Sequence, residues 1–176
     1  MHIDRLFILA VSFLLALTSP LCAGEPAQRQ HRKRRILCNY DGWGVLLDRK
    51  GSNKHVAITV NDLKEAVREV TEEGSQVDTV LLCVNARVMY YPTKVGTVLG
   101  ELATAEQRAK WTPVDKLWLA NFQRFFADGY DPWAIMLEEA RERGVEGLLS
   151  FRMNDMHQGE ILDTKFWRDH PEFRSQ

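Results

Sequence analysis

The stretch that decides the fold runs from Gly129-Tyr-Asp-Pro-Trp133 to Val145-Glu-Gly-Leu-Leu-Ser-Phe-Arg-Met-Asn-Asp-Met-His157. Asp131 suits a helix N-cap and Pro132 suits the first helical position, where no N–H is needed. Gly144 suits a left-handed helix stop, and 145–153 then predicts a buried, mostly apolar strand that ends in polar residues. This order predicts an α/β protein with its site at the carboxyl ends of parallel strands.

The helix within this stretch has an apolar and a charged face. Its apolar residues recur at helical spacing and are expected to face the core: Trp133, Met136, Leu137 and Ala140. Its charged residues are expected to face solvent: Glu138, Glu139, Arg141, Glu142 and Arg143.

Two further strands are predicted earlier in the chain. The first covers 35–40 and leads into the turn Asp41-Gly-Trp-Gly44, and the second covers 77–84. Thr59-Val-Asn-Asp62 and Thr112-Pro-Val-Asp115 have the pattern of capping boxes and predict a helix after each strand. A short helix is predicted near 103–110, and 165–173 predicts the start of a loop or helix.

The number of strands leaves two fold classes open. Three βα units occupy about 120 residues, whereas a closed (β/α)8 barrel needs about 250. We expect residues 35–176 to form the first three or so βα units of a TIM barrel, incomplete because no fourth strand-like run follows. The alternative is a small open parallel α/β domain. Either way the last strand has a free edge, which a partner or a missing segment would cover.

Residues 1–34 are predicted to lie outside the fold. The apolar run at 6–17 and the small residues of Cys22-Ala-Gly24 predict a signal peptide at 1–24, cleaved on export to the periplasm or out of the cell. The alternative is that the segment stays attached as an uncleaved anchor. The run is too short for a stable membrane span. Residues 25–34 are a basic leader, and the run Arg32-Lys-Arg-Arg35, which crosses from it into the first strand, is expected to be solvated.

Charge and cysteine usage exclude several classes of function. The formal net charge is −1, which argues against nucleic-acid binding. Cys38 and Cys83 lie in apolar runs without metal-site spacing and are expected to be free thiols. Gly42 and Gly44 do not form a dinucleotide fingerprint, so no cofactor is predicted.

Each predicted strand ends in an asparagine: Asn39, Asn85 and Asn154. In neighbouring parallel strands these amides would line one rim. Amides both donate and accept hydrogen bonds, so such a rim would suit a polyhydroxylated ligand. Asparagine also simply suits strand ends and loop starts.

Five short stretches, taken in order, resemble the N-terminal part of a bacterial group of glycoside-hydrolase-like TIM-barrel proteins. They are Val77-Asp-Thr-Val-Leu-Leu-Cys-Val84, Tyr91-Pro-Thr-Lys-Val-Gly96, Asp131-Pro132 with its helix, Phe151-Arg-Met-Asn-Asp-Met-His157 and His170-Pro-Glu-Phe173. The resemblance extends over 35–173. It implies a sugar-binding cleft at the carboxyl rim of the barrel and hydrolysis of a glycosidic bond.

Glycosidases generally use two carboxyl groups. In proteins resembling this one they lie on later strands, so the chain is expected to lack its catalytic pair. Asp41 and Asp155 follow the first and third strands and are not assigned as acid or nucleophile. Asp41 is instead expected among the substrate-binding residues, and either carboxylate could pair with Arg152 if that arginine is buried. Residues expected to bind and position sugar hydroxyls are Arg152, Asn154, Asp155 and His157. Trp43, Tyr90 and Tyr91 are candidate stacking platforms for sugar rings, and the alternative is that they simply pack under a loop.

The sequence leaves three functions open. The first is part of an exported glycoside hydrolase that acts on a glycan. The second is a non-catalytic carbohydrate-binding module that uses the same rim. The third is a metal-dependent hydrolase on the same fold with Asp155 and His157 as ligands, although two ligands without a third are a weak metal signal.

Overall fold

A computed structural model describes residues 35–41, 44–46, 57–153, 155, 157 and 159–173. The predicted signal peptide at 1–24, the basic leader at 25–34, Trp43 and Asn154 lie outside these residues. No helix among the described residues is long and apolar enough to cross a membrane.

The described residues form an α/β structure around an open, three-stranded parallel sheet. The strands are β1 (Leu37–Tyr40), β2 (Thr79–Cys83) and β3 (Glu146–Ser150), and their order in the sheet is the order in the chain. Leu81 is the partner of Asn39 on one side and of Leu148 on the other. The three predicted strands are therefore confirmed, and β3 is shorter than the apolar run that predicted it.

Among the described residues, five α-helices lie between and after the strands. They are α1 (Val60–Val70), α2 (Ala105–Lys110), α3 (Pro113–Ala127), α4 (Pro132–Glu142) and α5 (Lys165–Asp169). Short 3₁₀ turns cover Gly44–Leu46, Glu160–Leu162 and Pro171–Phe173. Thr59 and Asp131 cap α1 and α4 as predicted, because their side-chain oxygens accept hydrogen bonds from first-turn N–H groups.

One face of the sheet, which we call the covered face, carries Val80, Leu82 and Gly147 and packs against helices. Helices α1 and α4 contact each other, and α4 contacts β3. A Cβ atom on Gly147 would lie 2.8 Å from Cδ2 of Leu137 and 3.4 Å from Cβ of Ala140. The missing side chain is therefore what lets α4 lie this close to β3.

One predicted solvent-facing residue of α4 is buried. The side chain of Glu139 is 4% exposed and accepts two hydrogen bonds from Arg68 on α1, at 2.8 and 3.2 Å. Lys64 Nζ lies 3.6 Å from the same carboxylate. The prediction that Glu139 faces solvent is wrong because α1 supplies two cations where the helical pattern alone indicated water.

The opposite face of the sheet, which we call the open face, carries Leu37, Asn39, Leu81 and Leu148. No described helix covers its centre, and Leu37 and Leu148 are 56% and 43% exposed. Leu149, on the covered face but at the edge of the sheet, is 53% exposed. Among the described residues, the prediction of a buried third strand is therefore wrong for Leu148 and Leu149, in the middle of β3.

Candidate functional site

Polar side chains converge where the three strands end. The last paired residues are Tyr40, Cys83 and Ser150, and continuing the alternation of side chains beyond them puts Asp41, Asn85 and Arg152 towards the open face. Arg152 Nη2 lies 2.7 Å from Asp41 Oδ1, which joins the ends of β1 and β3 across β2. This ion pair raises the pKa of Arg152 further above its ordinary value.

Asp155 is the most enclosed charged group at these strand ends. Its side chain is 3% exposed, and Oδ2 lies 3.5 Å from Arg152 Nη1. Its Oδ1 accepts hydrogen bonds from the backbone N–H of His157 at 2.8 Å and from the His157 ring through Nδ1. Burial by itself would raise the pKa of Asp155, but these hydrogen bonds and charges outweigh burial and hold that pKa below its ordinary value. Asp155 is therefore a carboxylate at neutral pH.

Asn85 is used inside the protein. It is 2% exposed, its Oδ1 accepts from the backbone N–H of Arg152 at 2.8 Å, and its Nδ2 donates to the Arg152 carbonyl at 3.0 Å. Nδ2 also donates to the carbonyl of Ala86. The side chain thus continues the β2–β3 ladder for one more rung and fixes the backbone that carries Arg152.

Arg87 belongs to the same region and was not selected from the sequence. Its side chain is 8% exposed, and Nη1 donates to the backbone carbonyl of His157 at 3.1 Å. The guanidinium carbon lies 3.9 Å from the ring centroid of Trp167 on α5, and Nη2 is 3.9 Å from Asp163. The one signal for it in the sequence is an arginine directly after Asn85 and Ala86 at a buried strand end.

Tyr91 lies on the other side of the strand ends, in an aromatic cleft. This cleft has a volume of about 570 Å³, and Tyr91, Pro92, Phe126, Tyr130 and Phe151 are among its lining residues. Phe151 alternates with Arg152 along the chain, so the cleft continues the covered face rather than the open one. The structure therefore does not bring Tyr91 together with Arg152.

Tyr90 is not a stacking platform. It is 1% exposed and packs edge-on to Trp118 and parallel to Trp133, and its carbonyl accepts from Trp133 Nε1 at 2.9 Å. Burial raises the pKa of its hydroxyl well above the ordinary value. Of the two predictions for Tyr90, packing in the protein interior is the one that fits, because the two tryptophans enclose the ring.

The remaining predicted site residues fall into two groups. Asn39 is exposed on the open face, within β1 rather than at its end. Trp43 and Asn154 lie outside the described residues, so the predicted row of three asparagines is described only for Asn39 and Asn85.

Within the described part of the chain, no group of three His, Cys, Asp or Glu side chains is arranged to hold a metal ion. Cys38 and Cys83 are both free thiols. No protein-family model matches this sequence, and no curated protein matches it significantly.

We call Asp41, Asn85, Arg152, Asp155 and His157 the strand-end cluster. Three of its side chains keep part of their surface in solvent: Asp41 is 45% exposed, Arg152 27% and His157 60%. The cluster therefore offers a cation, a carboxylate and an imidazole in fixed relative positions. Such a set can bind hydroxyl groups, which both donate and accept hydrogen bonds.

Proposed function

We propose that this protein is an exported, carbohydrate-binding member of the glycoside-hydrolase-like TIM-barrel proteins. In this proposal a cleaved signal peptide at 1–24 directs export, and the exposed side chains of the strand-end cluster, Asp41, Arg152 and His157, bind hydroxyl groups of a glycan. The observation that carries the proposal is Arg152, held between Asp41 and Asp155 at the carboxyl ends of the parallel strands β1 and β3. That edge is where ligands bind in parallel α/β proteins.

The fixed geometry of the cluster supports binding in particular. Asn85 holds the backbone of Arg152, and two carboxylates hold its guanidinium. When the binding side chains are already held in place, binding a ligand costs less conformational entropy than when those side chains must first be ordered. The half-exposed edges of Arg152 and His157 can then contact hydroxyls without rearrangement.

The proposed barrel extends the sheet beyond β3. Three parallel strands in chain order, with helices α1 and α4 together on one face, are what the first units of a (β/α)8 barrel present. The open face with Leu37 and Leu148 would then be the barrel interior, and the edge of β3 would pair with a fourth strand. Further parallel strands would thus cover both the open face and the free edge of β3.

In this proposal Asp41 and Asp155 are not the catalytic carboxylates, and catalysis is assigned to other carboxyl groups. Glycoside hydrolysis uses one carboxyl group as an acid and another as a base or nucleophile. Asp41 and Asp155 are both ion-paired with Arg152, and the pKa of Asp155 is lowered, which is the wrong direction for a general acid. This pairing also favours the second candidate, a carbohydrate-binding module without catalysis.

The proposal is tested by calorimetric titration of the purified protein with a panel of neutral disaccharides. We expect binding by at least one sugar and a loss of affinity of about tenfold or more in Arg152→Ala, because a charged hydrogen-bonding group is worth about 1.5–3 kcal/mol. Arg141→Ala is the matched control, since Arg141 lies exposed on α4 and pairs only at the surface with Glu138.

Two outcomes would contradict the binding site: no sugar binds, or Arg152→Ala binds as well as the parent protein. Turnover of a bound glycan would favour the hydrolase, and binding without turnover would favour the module. The intact mass of the protein from its own cells tests the barrel, because a closed barrel needs about 250 residues and the present chain has a mass of 20.3 kDa.

A further inference from the structure

His157 is held in place from two directions. Asp155 accepts hydrogen bonds from both its backbone N–H and its ring Nδ1. On the other side, Arg87 donates to its backbone carbonyl at 3.1 Å. The ring itself stays accessible, with 60% of the side chain exposed.

The contact with Asp155 determines which ring nitrogen carries the proton. Asp155 is ionised and accepts only, so a neutral His157 must donate through Nδ1–H. Its Nε2 then has a free lone pair. Among the residues that the structure describes, Nε2 has no hydrogen-bond partner. A carboxylate that fixes a histidine tautomer in this way is a recurrent arrangement where the other nitrogen binds or reacts.

Arg87 is placed to hold this arrangement together. Its guanidinium is buried against Trp167 and contacts Asp163, so it ties the end of β2 to the segment after β3 and to α5. A buried arginine with an aromatic stack and a directed hydrogen bond loses little further freedom when a ligand binds. Lysine could keep the charge but could not reproduce the stack and the fork geometry.

We infer that Asp155 and Arg87 are positioning residues that hold His157 in the Nδ1-protonated form, with Nε2 as the atom that accepts a hydrogen bond from a ligand hydroxyl. The inference rests on the proposed function for the class of ligand, a polyhydroxylated sugar. It adds the contact atom, the protonation form and two residues that position it. The positioning of His157 can be measured without any ligand.

The first experiment is nitrogen-15 NMR of the imidazole of His157 at about pH 8.5, where an ordinary imidazole is neutral. In the unaltered protein we expect a protonated, pyrrole-like Nδ1 and an unprotonated, pyridine-like Nε2. A predominant Nε2–H form, or rapid averaging of the two, would overturn the inference, and this measurement requires no variant to fold.

Variants separate positioning from general folding. Asp155→Asn should populate the Nε2–H form, because the amide can donate to Nδ1. Arg87→Gln should move the shifts towards averaging, and Arg87→Lys should restore them only in part. Arg143→Gln is the control, since Arg143 likewise donates to a backbone carbonyl, that of Thr71 at 2.8 Å, but at the opposite end of α4 from the site. His157 shifts that change in the control, or that stay fixed in both Asp155→Asn and Arg87→Gln, would overturn the inference.

Addition of the disaccharides then tests the contact atom. We expect a bound sugar to shift Nε2 more than Nδ1. Binding that leaves Nε2 unchanged would overturn this part of the inference while the proposed function stands. An Nδ1–H tautomer with no binding of any sugar would instead contradict the proposed function and leave the positioning of His157 intact.

Discussion

Each face of the sheet has a buried carboxylate nearby, but the two carboxylates have different roles. Glu139, on the helix side, is 4% exposed, and Asp155, beyond the open face, is 3% exposed. Both have pKa values below the ordinary value, because cationic or N–H partners outweigh the effect of burial. Burial and pKa alone therefore do not distinguish them.

The difference lies in the partners. Glu139 is held by Arg68 and Lys64 on a neighbouring helix, and this arrangement joins α1 to α4. Asp155 is held by Arg152 and His157, which keep exposed polar surface at the edge where strands end. A buried carboxylate indicates a functional site only when its partners present groups outward.

The largest effect is expected from Gly147→Val on the covered face. A Cβ atom there would lie 2.8 Å from Leu137 Cδ2 and 3.4 Å from Ala140 Cβ, so the Leu137 side chain must shift and the γ-methyl groups of valine would further crowd α4 against β3. We expect a loss of about 3 kcal/mol in the free energy of unfolding, measured by chemical denaturation. Leu137→Ala in the same protein should recover part of this loss by making room. No recovery would show that the close approach of α4 is not what Gly147 permits.

Glu139→Gln should give the next largest effect, about 2 kcal/mol of destabilisation at neutral pH, because two charged hydrogen bonds to Arg68 are weakened. Folding lowers the pKa of Glu139, so its ionised form stabilises the folded state fully at pH values above the pKa of an unfolded Glu, about 4.3. This stabilisation is lost as the pH falls through the pKa that Glu139 has in the folded state. The difference between parent and variant should therefore shrink in acid. Glu138→Gln, a surface neighbour, should show neither effect, and a pH-independent difference would contradict the ion pair.

Gly144→Val tests the junction of α4 and β3. Gly144 has φ of 69°, a left-handed conformation that costs other residues about 1–2 kcal/mol. We expect a loss of stability of that size, seen as a lower melting temperature. Gly144→Asn should lose less, because asparagine tolerates this region better. Equal losses in the two variants would indicate crowding of the side chain rather than backbone strain.

The smallest effect is expected from Leu148→Ala on the open face, and it sharpens the comparison most. Leu148 is 43% exposed in the described structure, so its truncation should cost less than about 1 kcal/mol. If further strands cover this face, the same change would cost about 2–5 kcal/mol. Denaturation of the protein as its own cells produce it therefore shows whether the open face is covered there.

The parts of the fold that depend on local chemistry could be predicted from the sequence. Thr59, Asp131 and Pro132 mark helix starts through their own side chains or ring, and the strands follow from short apolar runs. The environment of Glu139 could not be predicted, since its partner Arg68 is 71 residues away in the chain. Helical periodicity places charges on a face but does not indicate what packs there.

The candidate site follows the same division. Asp155 and His157 could be selected because they directly follow a predicted strand. The use of Asn85 as an extra rung depends on the register between β2 and β3, which no local pattern encodes. Arg87 was missed for the same reason, because its contacts with His157 and Trp167 exist only after the chain has folded.

The hydrogen bond from Arg87 to His157 joins residues 70 positions apart, which has a consequence for the order of folding. A contact that closes so long a loop forms only after β2 and β3 have paired, because the chain must first lose the entropy of the intervening segment. We therefore expect the strand-end cluster to form late in folding and to open early under mild denaturant. In hydrogen exchange, the amides around His157 should exchange faster than those of β2, even where both are shielded from solvent.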